Sequence, residues 1–163
     1  MKARRNKSVT ASSGPVGLAA LTELMNRRWL EAMAAVQLPP DQYLTWDVGE
    51  YDHFNKPRGY GVTLPLSKWK CHIRLADKML SAPQHRQDGI IRHEIGHVLD
   101  IIVTPTALDA WAAGRGVFLP KTPELRADAI AHAVWGSRLK YQAPLFIQST
   151  TTGQASRPEH LGL

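Results

Sequence analysis

An α+β fold is predicted by three features of this 163-residue chain: a helix-periodic opening, a central cluster of short extended segments, and helix-periodic stretches that follow. The extended segments are grouped rather than interleaved with helices, which argues against alternating βαβ units. The length suits one domain with a real core, and 44% hydrophobic with 21% charged residues is an ordinary globular balance.

From residue 17 to 37, Leu18, Leu21, Leu24, Met25, Ala32, Met33 and Val36 recur at helical spacing, and Pro39-Pro40 ends the helix. Two strands are expected over 43–48 and 60–66, with a third over 69–75. These stretches are rich in aromatic and β-branched residues, and Gly49, Pro57, Gly59 and Pro65 punctuate them. Cys71, in the last of them, reads as a small buried hydrophobe. A second helix is expected from Ser81-Ala82-Pro83 to Val103, burying Ile90, Ile91, Ile95, Val98, Leu99 and Ile102. A short helix over 107–113 is closed by Gly114 and Gly116. The last has Thr122 as its cap and Pro123 at its first position, and runs to about Lys140. The domain therefore spans 16–147, between flexible tails at 1–15 and 148–163.

One cysteine supports neither a disulfide framework nor a thiolate zinc cluster, so any metal must be held by histidine and carboxylate. The basic start Met1-Lys2-Ala3-Arg4-Arg5 is followed by a segment too polar for a signal peptide, and no apolar run is long enough to span a membrane. A cytoplasmic protein of bacterial or phage origin is expected. The net charge is +6, and Lys2, Arg4, Arg5 and Lys7 contribute to it from the tail. Without interleaved aromatic residues, such a tail supports only a weak, salt-sensitive polyanion contact.

The chemistry lies in His93-Glu94-Ile95-Gly96-His97. Residues four apart on a helix share a face one turn apart, so two imidazoles can fill adjacent corners of a tetrahedral zinc site. Glu94 is rotated off that direction, where it can serve as general base toward a water without binding the metal. Gly96 costs about 1 kcal/mol inside a helix, so a close approach by a strand or by the metal site is expected there. A catalytic site needs a third protein ligand and an open position. Val103 stands where one zinc peptidase family places its third histidine, and Asp100 where that family has glycine. The last helix is the better source. Glu124 and Asp128 share a face, with His132 a turn further on; Glu124 is assigned as the third ligand and Asp128 as the carboxylate bracing a ligand histidine. Pairing of Asp128 with Arg126 or Arg138 is the bland alternative. His132, Tyr60 and Tyr141 are candidates for stabilising an oxyanion, whereas His53, His72, His85 and His160 read as surface or packed residues.

This pairing of His93-Glu94-Ile95-Gly96-His97 with Glu124, Ala127, Asp128 and Ala131 resembles the glutamate-type zincins (gluzincins) in minimal form, closest to the ImmA/IrrE-like HExxH metallopeptidases. The resemblance covers roughly residues 90–134. Ile130 replaces that family's usual phenylalanine, and its frequent helix-turn-helix module is not found. It implies a zincin-like domain with His93, His97 and Glu124 holding Zn2+ and Glu94 as general base, acting as a zinc-dependent peptidase on a protein or peptide. The strand preceding the active-site helix, 69–75, is expected to face that peptide. The rival reading is a non-catalytic zinc-stabilised module whose basic tail docks on nucleic acid or on a virion or host protein.

Overall fold

The computed structural model describes residues 15–50 and 59–136. Its elements, in order, are α1 (Pro15–Val36), β1 (Leu44–Gly49), β2 (Gly61–Ser67), β3 (Lys70–Ala76), a 3-10 turn (Asp77–Ser81), α2 (Gln84–Ile102), α3 (Pro105–Gly114) and α4 (Pro123–Trp135). The fold is α+β, with four helices and one three-stranded sheet among the described residues. Of the expected tails, residues 1–14 and 148–163 lie outside the described residues, as do His53, Pro57, Arg138, Tyr141 and His160, whereas Pro15 opens α1.

Helix α1 buries Leu21, Leu24, Met25, Trp29, Ala32 and Met33, whereas Leu18 is exposed. The helix stops before the two prolines: Gln37 turns left-handed at φ 57, and the Leu38 amide reaches back to the Met33 carbonyl. That bond satisfies a carbonyl the helix end would otherwise leave open. The Trp29 indole donates to the Pro40 carbonyl and tacks the outgoing chain onto α1.

The sheet order is β1-β3-β2, with β1 parallel to β3 and β2 antiparallel to it. The expectation that 69–75 faces a peptide is therefore corrected. β3 is the central strand, with both edges paired, and it buries Cys71, Ile73 and Leu75 against the helices. Burial raises the Cys71 thiol to about 11, so it stays protonated and unreactive at neutral pH. On the opposite face, Arg74 forms a paired hydrogen bond to Asp47, and His72 lies between Asp47 and Thr45.

The edge over α2 belongs to β2. Ala76 N–H donates to the Tyr60 carbonyl, and the pairing steps on through Val62–Arg74 and Leu64–His72. By the alternation of an antiparallel ladder, the N–H and C=O groups of Gly61 and Thr63 then point away from β3. Pro65 follows in the same set and has no N–H to offer.

Helix α2 begins at Gln84 after Pro83, with no side-chain cap, so Ser81 does not play the expected capping part. All six of its expected apolar residues are buried. From Gly89 to Gly96 every residue is buried, because α1, α4 and the sheet enclose that stretch. Three groups clamp the helices. Arg28 of α1 and Arg92 of α2 both bind Asp88. The Trp135 indole donates to Glu31, joining α4 to α1. Arg126 binds Asp100 and Asp109, tying α4 to α2 and α3. Asp100 thus has a structural task.

Helix α4 starts at Pro123, although the Thr122 side chain makes no capping bond. It ends at Trp135, short of Lys140, because Gly136 adopts φ 68 and its amide bonds to the His132 carbonyl. The neighbour that Gly96 admits is not the expected strand or metal site but the backbone of α4: a Cβ on Gly96 would lie 2.4 Å from the Ala127 carbonyl oxygen. That oxygen is backbone and cannot rotate aside. Gly96→Ala is expected to lose about 1–2 kcal/mol of stability despite its better helix propensity, because the overlap costs more than the roughly 1 kcal/mol gained. Urea unfolding measures the change; a stabilised variant would contradict this packing.

Candidate metal centre

The close α2–α4 contact at Gly96 and Ala127 brings the N-terminal half of α4 alongside His93 and His97. His93 Nε2 lies 3.1 Å from His97 Nε2 and 3.1 Å from Glu124 Oε2, and His97 Nε2 is 3.4 Å from Glu124 Oε1. The rings meet edge to face, with centroids 4.7 Å apart. Two ring nitrogens and a carboxylate so placed can each turn a lone pair toward a common point. These three residues are the group among the described residues whose donor atoms converge as metal ligands would.

Asp128, one turn after Glu124, takes a different position. Its Oδ1 accepts from His93 Nδ1 at 2.6 Å, and both groups are almost completely buried. This bond places the His93 proton on Nδ1 and leaves the Nε2 lone pair aimed at the cluster. Asp128 thus pairs with a histidine, while Arg126 pairs elsewhere.

Electrostatics follow from this geometry. Burial works against a charge on His93, yet the hydrogen bonds and charges of Asp128 and Glu124 outweigh it and push its pKa up to about 10. Hydrogen bonds from His93 and His97 hold the Glu124 carboxyl far below the usual carboxylate range. Without a cation the site therefore retains a proton among its imidazoles, and a metal would have to displace it. Asp128→Asn should weaken zinc binding by about 10–100-fold, because Asn keeps the shape but not the charge behind His93. Competition against a chromophoric chelator measures this; unchanged affinity would contradict the bracing part.

Burial grades outward from buried His93 through half-buried His97 to Glu124, which is exposed. The cluster therefore opens to solvent on its Glu124 side. Glu94 points elsewhere, toward β2. Thr63 Oγ1 lies 2.7 Å from Glu94 Oε2 and 3.1 Å from the Glu94 carbonyl oxygen. Burial raises the Glu94 pKa, and the neighbouring His93 charge partly offsets that rise.

The remaining candidates stand apart. His132 is not a member of the converging group. The Tyr60 hydroxyl accepts from Arg86, and Lys78 sits over its ring. Sequence reasoning missed Thr63 and Gly61, the β2 residues against Glu94, because nothing in a strand's own pattern names the helix residue it will touch. No helix of the described residues is long and apolar enough to cross a membrane. No family model, curated protein or solved structure matches this chain.

Proposed function

We propose that this chain is a zinc-dependent peptidase of zincin-like, glutamate-ligand type, akin to the ImmA/IrrE-like HExxH metallopeptidases, with His93, His97 and Glu124 as ligands and Glu94 as general base. The observation that carries the reading is the triangle of donor atoms at 3.1, 3.1 and 3.4 Å. Zinc bonds of about 2.0–2.1 Å at tetrahedral angles put neighbouring ligand atoms about 3.3–3.4 Å apart, so the residues present fit that ion.

Two further features favour catalysis over a purely structural metal. A structural zinc is closed by a fourth protein ligand. Among the described residues no fourth His, Cys, Asp or Glu joins the group, and Asp128 is turned to the far nitrogen of His93. A purely structural site also has no use for a buried carboxylate at Glu94, which is 5% exposed.

Zinc, when bound, supplies the Lewis acid that polarises a carbonyl and acidifies a water. The chain's own groups do the rest. Glu94 accepts the proton of the attacking water and delivers it to the departing amine. Asp128 holds His93 in the tautomer that leaves Nε2 free. An extended peptide can pair with the outward N–H and C=O groups of Thr63, which would lay its backbone beside Glu94. The fitting substrate is thus a protein or peptide segment in extended form.

The test is a search for new peptide N-termini in a cell lysate treated with zinc-loaded protein, beside the same protein stripped with a chelator and then re-zincated. Cleavages that vanish on chelation and return with zinc are expected. Identical termini in all three samples would end the peptidase reading.

A further inference from the structure

The polar contact nearest the proposed base comes from the sheet rather than from the metal cluster. Thr63 Oγ1 lies 2.7 Å from Glu94 Oε2. Two residues earlier on the same face of β2, Gly61 leaves the space that the other oxygen fills: a Cβ there would lie 3.1 Å from both Glu94 Cγ and Glu94 Oε1. One carboxylate oxygen is held by a hydroxyl, and the other lies against Gly61, where a Cβ would be a tight fit. A buried, flexible glutamate has several rotamers, and each unproductive one lowers its effectiveness as a base. β2 removes that freedom.

We infer that Thr63 is a positioning residue for Glu94: its hydroxyl anchors Oε2, keeps Oε1 free for proton transfer, and transmits the seating of an extended ligand on the β2 edge to the base. The second half follows from the backbone. Thr63 directs its N–H and C=O to the open edge and its side chain to Glu94, so a strand added there stiffens the residue that holds the base. The inference rests on the zinc reading proposed above and adds a residue from outside both metal-bearing helices.

The experiment uses zinc-loaded full-length protein and acetohydroxamic acid as the probe. This acid chelates zinc through its two oxygens and passes its N–O–H proton to an adjacent carboxylate, so its affinity reports whether Glu94 is in place without any known substrate. Calorimetric titration compares wild type, Thr63→Val, Thr63→Ser, Glu94→Gln and the Thr63→Val/Glu94→Gln double variant, with zinc content measured on each. Thr63→Val keeps the shape and strand preference of threonine but has no hydroxyl. It is expected to bind about tenfold more weakly, as loss of a hydrogen bond to a charged group implies. Thr63→Ser should restore binding to within about twofold, since it restores that same donor. The double variant should be no weaker than Glu94→Gln alone, because the threonine acts only through the glutamate.

Wild-type affinity in zinc-loaded Thr63→Val, an equal further loss in the Glu94→Gln background, or no rescue by serine would each overturn the positioning inference while leaving the zinc site standing. A wild-type chain that takes up no zinc, or a zinc-loaded one that ignores the hydroxamate, would instead overturn the reading on which it rests.

Discussion

Glu124→Ala is expected to cost the protein its zinc. Removing a partner behind a ligand typically weakens binding by roughly 10–100-fold, and loss of a ligand itself should exceed about 100-fold. Three properties make this the clearest test of the site. Glu124 supplies the carboxylate edge of the donor triangle, at 3.1 Å from His93 and 3.4 Å from His97. It is 68% exposed at its side chain, so its truncation opens no cavity. Its contribution to α4 as a first-turn charge is only about 0.3–1 kcal/mol, so the variant should fold normally. Zinc titration against a competing chelator, with circular dichroism on the same samples, separates the two effects. A folded Glu124→Ala variant with zinc affinity within a few-fold of wild type would show that the carboxylate is only a helix-terminal charge.

Glu94→Gln should show the opposite pattern: zinc retained at one per chain and turnover reduced by about 100–10,000-fold, the usual contribution of a positioned general base. Glutamine matches glutamate in size, and its carbonyl oxygen can still accept from Thr63, so the buried packing around this residue survives. What is lost is the ability to take a proton. Rates on any peptide that the lysate experiment identifies would measure this. A Glu94→Gln protein hydrolysing that peptide at the wild-type rate would remove Glu94 from the chemistry while leaving the metal in place. Together the two variants form a crossed pair, with ligand and base each failing in one assay and passing in the other.

Several features could be read from the sequence because the interactions behind them are local. Helical spacing of apolar residues located α1 and α2, and the buried set on α2 is the predicted one. Glu124 and Asp128 could be singled out because helix geometry places residues four apart on one face, whatever surrounds the helix. Their division of labour was harder to see. It depends on α4 crossing α2 with Ala127 against Gly96, which sets Glu124 opposite Nε2 and Asp128 opposite Nδ1 of the same ring. The end of α1 was placed to within a residue, whereas that of α4 was misjudged because a left-handed residue decided it: Gly136 stops the helix five residues after Ala131.

By itself the sequence determined the elements and their order and the direction in which His93 and His97 project together, and its one cysteine ruled out a thiolate cluster. These properties depend on spacing along a single helix and on composition. Only the tertiary structure decided that β3 lies inside the sheet, that β2 lies along α2, and that Thr63 contacts Glu94 across 31 positions of chain. Strand order and contacts between elements come from packing many weak, distant interactions at once, and no local pattern encodes which strand will lie in the middle.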